Sequence, residues 1–195
     1  MSVRCCLLAI LTIGPAYGFQ LHGELHSRTA GRRAVNVGQI YGTLERLVKQ
    51  DAVESAGTTA DGLPLYRVTA RGEAEAIAWL CDTESTPGDE WNDLVDRVLI
   101  VSSLPLPLPP GVDVSRVIVR YREWWQGQAD AAGVTAGGIR GQDALATAAR
   151  AALAGAALAW LGEAARKLAD SPEDSFQHGL SDVRPKRGRR PASAA

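Results

Sequence analysis

The chain has 195 residues, 46% of them hydrophobic, with 21 Lys+Arg against 22 Asp+Glu for a net charge of -1. That is enough apolar material for the core of one domain, or of a small domain with a helical extension. Three cysteines, the vicinal pair Cys5-Cys6 and Cys81, exclude a disulfide framework and indicate a reducing, cytoplasmic compartment.

The near-zero balance hides a segregation of charge. Residues 1–50 hold six basic and two acidic residues, residues 81–170 hold eight basic and twelve acidic, and residues 183–195 hold five basic and none acidic. Where basic charge sits matters more for a nucleic-acid partner than its sum.

In chain order, Ser2 to Ile13 is apolar and of helical length, and Gly14-Pro15 ends it. The same residues carry the outline of a secretory signal: one Arg, a short apolar run, then the small-x-small triplet Ala16-Tyr17-Gly18. The run is too short to cross a membrane. Tyr17 to Thr29 places Phe19, Leu21 and Leu25 on a polar background, a short amphipathic helix. Ala30 to Val37 is a loop rich in Gly and Arg, and Gly38 to Gln50 a third helix. Ala52 to Ala56 and Leu65 to Thr69 read as strands of a hairpin with Asp61-Gly62 in its turn. Thr69 is an N-cap for a helix from Ala70 to Leu80.

The order α-α-α-β-β is that of a winged helix-turn-helix. The expected fold is mostly α with a small β-hairpin. A winged helix-turn-helix DNA-binding domain spans residues 1–82, and an α-helical dimerisation and effector region spans residues 88–170. A disordered basic tail spans residues 171–195. In the second region Asp89 to Ser103, Val114 to Ala132 and Asp143 to Ala169 are helical, interrupted by the proline run Leu104 to Gly111 and a Gly-rich loop, Gly133 to Gly141. The last helix repeats Leu153, Ala157, Trp160, Leu161, Ala164 and Leu168 at three- and four-residue spacing. Of these, Leu153, Ala157, Trp160, Leu161 and Leu168 are the expected dimerisation residues, because an Ala-rich stripe lets a partner helix approach closely.

The third helix carries the candidate chemistry. On a wheel of about 100° per residue, Ile40, Leu44, Leu47 and Val48 face the core. The opposite face holds Gln39, Gly42, Arg46 and Lys49, with Tyr41 and Thr43 on its flanks. A glycine inside a helix costs roughly 0.5–1 kcal/mol relative to alanine. A major groove admits a helix and flanks it with phosphates, so Gly42 marks the place of closest approach. Gln39 then reads a base edge, and Arg46 and Lys49, with the hydroxyls of Tyr41 and Thr43, reach phosphates. Arg32 and Arg33 in the lead-in loop and Arg67 on the wing complete the expected double-stranded DNA contact.

Three separated motifs carry a family resemblance: Gly14-Pro15-x-Tyr17-Gly18, Gly38-x-x-Tyr41-x-x-Leu44-x-x-Leu47, and Tyr66-Arg67-Val68-Thr69-x-x-Gly72. Over roughly residues 4–80 the chain resembles the PadR family of transcriptional regulators. A weaker echo in Ala157 to Leu168 is similar to that family's C-terminal dimerisation helix. The chain departs from the family at Val37 and Gly42, where the family usually has Pro. The resemblance implies a cytoplasmic, homodimeric, sequence-specific regulator, a repressor acting at a pseudo-palindromic operator. It also assigns Leu7 to Ile13 to the first helix of the domain rather than to a signal. The alternative of a different class is a winged-helix protein-interaction module without DNA binding.

Other constellations point elsewhere less well. His22 and His26 lie four apart, but the Glu that metalloproteases place directly after the first His is absent and no third ligand is evident, so no metal is expected. Without a Gly-rich phosphate loop, a Gly-x-Ser-x-Gly elbow or a nucleophile–base pair, neither an enzyme nor a cofactor is expected. Trp91, Trp124, Trp125 and Trp160 read as core and interface packing, or as an aromatic seam for a small aromatic effector. The tail segment Pro185 to Pro191, "PKRGRRP", is a degenerate AT-hook that adds salt-dependent DNA affinity. No membrane partner is expected.

Overall fold

A computed structural model describes residues 2–135, 140–171 and 176–182. The elements run α1 (Ser2–Leu11), β1 (Ala16–Tyr17), α2 (Gly18–Arg28), α3 (Val37–Lys49), β2 (Val53–Thr58), β3 (Pro64–Val68), α4 (Ala70–Cys81), α5 (Glu90–Ser103), α6 (Val114–Thr135) and α7 (Gln142–Asp170). The protein is mostly helical with a small three-stranded antiparallel sheet, ordered β1-β3-β2, and its first part is a winged helix.

α1 forms the centre of that domain. Leu7, Leu8 and Ile10 are fully buried, and Leu21, Leu25, Ile40, Leu44 and Leu47 of α2 and α3 close over them. Burying each such side chain contributes about 2 kcal/mol.

The separated glycine and tyrosine motifs acquire mechanical reasons. The first strand, Ala16–Tyr17, is too short to register as a strand in the sequence, but it pairs with Tyr66 and Leu65 and closes the sheet. Gly18 follows because the Tyr41 ring of α3 lies over it: a Cβ there would stand 2.5 Å from Tyr41 Cε1. At the other end of the domain Thr69 caps α4, its hydroxyl accepting from the Gly72 N–H at 3.1 Å and donating to the Asp51 carbonyl at 2.6 Å. Gly72 itself packs on the backbone of Ala52.

α3 begins in a capping box. The Asn36 side chain accepts from the Gln39 N–H at 2.9 Å, and Gln39 Oε1 accepts from the Asn36 N–H at 3.0 Å. It ends with Asp51 left-handed (φ 55), while the N–H groups of Asp51 and Ala52 return to the Val48 and Leu47 carbonyls.

α5 packs on α1 and α2, and α6 and α7 pack side by side. Buried charge stitches α5 to the winged helix. The Asp96 carboxylate, fully buried, accepts from the Arg33 guanidinium. Arg97 donates to the Tyr121 hydroxyl at 2.6 Å and lies over the Trp79 ring.

The expectation of disorder from residue 171 onward is corrected over residues 176–182. There the chain returns to the winged helix and settles between α2 and α5. Arg28, buried at 3% exposure, donates to Glu24 at 2.8 Å, to the Ser103 carbonyl at 2.6 Å and to the carbonyls of His178 and Gly179 at 2.8 and 3.0 Å. The Ser181 N–H donates to Glu24 Oε1 at 2.6 Å. One guanidinium thus joins α2, the end of α5 and the returning segment, which a reading of local polarity does not reveal. The basic segment 183–195 lies outside the described residues.

Candidate nucleic-acid interface

The outer face of α3 is open at the predicted place. A Cβ built on Gly42 meets no atom within 4 Å. Lys49, one side of this opening, is exposed and Arg46 is exposed beside it. Ile40, Leu44 and Leu47 are fully buried on the opposite side, whereas Val48 is 40% exposed and lies at the margin rather than in the core.

Several predicted contacts are engaged inside the chain. The Gln39 amide oxygen is taken up by the capping box, so only its amide N–H groups remain to approach a base. Thr43 is buried, not flanking: its hydroxyl donates to the Gln39 carbonyl at 2.8 Å and accepts from Arg46 Nη2 at 3.0 Å. Arg46 Nε donates to the Gly42 carbonyl at 3.1 Å, which lays the guanidinium along the helix. The Tyr41 ring covers Gly18 and is half-buried.

The arginines of the lead-in loop turn toward α5. Arg32 donates to Asn92 Oδ1 at 3.0 Å, and Arg33 pairs with Asp96 and lies 3.9 Å from Asp89. Burial alone pulls the Arg33 pKa down, but the hydrogen bond and charge of Asp96 outweigh it and hold the pKa above its ordinary value. On the wing, Arg67 pairs with Glu54 at 2.6 Å across the strands, both half in solvent. Such an exposed pair contributes little and opens readily.

The structure therefore brings Gln39, Gly42, Arg46 and Lys49 to one face and withdraws Thr43 and Arg33 from it. Arg4, which the sequence shows only as a charge near the start, sits beside α3: its guanidinium donates to Gln50 Oε1 at 3.1 Å and pairs with Glu75 at 2.6 Å. No local signal marks it, because the contact spans 46 residues. His22 Nε2 lies 2.8 Å from the Val35 carbonyl, and the described residues hold no cluster of three or more His, Cys, Asp or Glu that could hold a metal ion.

The predicted dimerisation residues divide in two. Ala157 and Leu161 are fully buried within the chain, where α6 and α7 pack together. Trp160 stacks edge-on against Trp91 of α5, with ring centroids 5.8 Å apart, and Leu168 is half-buried. The stripe legible in the sequence is largely this internal seam. The other face of α7 is the uncovered one, with Leu145 68% and Leu153 37% exposed among exposed alanines. α7 is long and apolar enough to cross a membrane by length and composition, with only 22% of its most apolar window buried.

Residues 7–78 match the family model of the transcriptional regulator PadR-like family. The chain is also similar to Bacillus subtilis PadR in a crystal structure with operator DNA, at 16% identity and a TM-score of 0.41, covering 85% of this chain and 99% of that one. No curated protein matches the chain.

Proposed function

We propose, from the PadR-like domain of transcriptional regulators over residues 7–78, that the chain binds double-stranded DNA sequence-specifically and regulates transcription as a homodimeric repressor. The observation that carries this reading is the outward face of α3 around Gly42. The space beside Gly42 is open, as it is beside Gly23, Gly127, Gly155 and Gly162 on other helices, but here Gln39, Arg46 and Lys49 stand around it. A groove of duplex DNA fits such a face. Lys49 and Arg46 then stand where phosphates flank an inserted helix.

Under this reading the winged helix spans residues 1–82, and the helices over residues 88–170 join two copies. The apolar outer face of α7, with Leu145 and Leu153, is the surface a second copy covers. Arg150, Glu163, Arg166 and Lys167 on the same helix favour an aqueous interface over a membrane span. Two recognition helices about 34 Å apart read a pseudo-palindrome in successive major grooves. Repression follows by occlusion of a promoter in the cytoplasm. A small aromatic effector, expected at a tryptophan seam, draws support instead from an open, largely apolar cavity of about 530 Å³ between α6 and α7, lined by Val114, Ile118, Arg122, Leu168 and Phe176 and by no tryptophan.

The protein-interaction reading draws on the internal engagement of Arg32, Arg33 and Arg67. Selection of bound duplexes from a random pool by the full chain separates the two. Enrichment of a two-fold symmetric sequence supports the regulator, and recovery of the unselected pool supports the interaction module.

A further inference from the structure

A second opening lies between the start of α1 and the inner flank of α3. It has a volume of about 490 Å³, and three guanidinium groups, those of Arg4, Arg33 and Arg46, line it together with Thr43 and Gln50. Three like charges around one space repel each other. The nearby carboxylates are unevenly placed: Asp89, 3.9 Å away, and Asp96 both attend Arg33, Glu75 holds Arg4, and Arg46 is held by the Gly42 carbonyl and the Thr43 hydroxyl with no carboxylate on it among the described residues. Arg33 Nη2 is buried with no hydrogen-bond partner among the described residues, Asp89 being 3.9 Å away, and a buried donor without an acceptor is unfavourable. Arginine forks around a cavity, with the amide of Gln50 between them, match the acceptor oxygens of a phosphate.

We propose that this cavity seats a phosphate group, supplied in the working protein by the backbone of the duplex that α3 enters. The proposal rests on the DNA-binding reading and adds to it a clamp outside the recognition helix, with Arg4 of α1 as its distal jaw. It also gives the Arg33–Asp96 pair a role: Arg33 reaches the seat while tied to α5, so the phosphate and the C-terminal helices share one side chain.

The test uses the full chain and a mixed-sequence duplex, with anisotropy titrations between 50 and 200 mM salt. Removing one cation from a phosphate reduces the slope of log affinity against log salt by about 0.9. Arg4→Ala is expected to reduce the slope by about one and affinity about fivefold. Glu75→Gln, which releases Arg4 and also Arg71 from a shared carboxylate without touching the seat, is expected to leave the slope intact and to tighten binding, and Arg71→Ala, which leaves Arg4 paired, is expected to leave both unchanged. A merely structural Arg4–Glu75 pair would weaken binding in both Arg4→Ala and Glu75→Gln, which overturns the proposal. A wild-type slope in Arg4→Ala, alongside a reduced slope in Lys49→Ala, overturns the backbone clamp and leaves the DNA-binding reading standing. If no variant moves the slope, the DNA reading itself fails, and melting with inorganic pyrophosphate decides. Stabilisation of the wild type but not of Arg4→Ala keeps the seat for a free phosphate ester, and no stabilisation of either removes it.

Discussion

A Cβ on Gly72 would stand 2.8 Å from the carbonyl carbon of Ala52 and closer still to its oxygen. The group in the way is backbone, held in turn by the N–H of Thr69 at 3.1 Å, so nothing at the contact can swing aside. Gly72→Ala is expected to destabilise the winged helix by about 3 kcal/mol, at the upper end of overpacking costs. Gly18→Ala meets an aromatic ring instead, which shifts, and the expected loss is about half that. Urea unfolding of both variants checks the order.

The Arg28 cradle predicts an asymmetry. Arg28→Met leaves the buried Glu24 without its cation, with the Ser181 N–H still donating to it, and is expected to cost about 3–5 kcal/mol. His178→Ala removes a side chain whose backbone carbonyl makes the stronger contact, and is expected to cost under about 1 kcal/mol. Comparing the two in denaturant separates the buried pair from the histidine ring.

Tyr121 gives a pH signature. Burial foremost, offset by Arg97 and reinforced by Asp93, pushes its hydroxyl up to about 12. A pKa raised on folding means stability fully present below pH ~10, the unfolded value, and lost as pH climbs toward about 12. The wild type is expected to lose about 2 kcal/mol over that window beyond what Tyr121→Phe loses. Thermal melts of both proteins across the window read the difference.

The uncovered face of α7 predicts that one charge prevents pairing. Leu145→Glu, at a 68% exposed position, is expected to leave monomer stability within about 0.5 kcal/mol. It should nevertheless shift sedimentation from two copies to one. A wild-type monomer at all accessible concentrations, or a variant that still pairs, places the partner elsewhere.

What the sequence disclosed and what it hid follow from range. The helices and hairpin were legible because apolar spacing and turn residues are local signals, and so was the open face at Gly42. The capping role of Gln39 was legible in principle, since Asn36 stands three residues before it. The burial of Thr43 was harder to see, because a hydroxyl satisfied by the helix's own carbonyl leaves no trace in polarity. The diversion of Arg33 to Asp96 and the return of residues 176–182 to Arg28 join positions 63 and about 150 residues apart. Periodicity carries no information at that distance. The α7 stripe was legible as apolar but not in its partner: spacing does not show whether α6 or a second copy covers a face, and Ala157 and Leu161 are buried within the chain while Leu153 is exposed.

The central claim is that duplex DNA fills the space beside residue 42. Gly42→Ala tests it most directly, because the added methyl meets nothing in the free protein and relieves a helix-interior glycine. Stability should rise by about 0.5–1 kcal/mol while affinity for the selected duplex falls at least tenfold. A variant that is more stable and binds that duplex as tightly as the wild type contradicts the account.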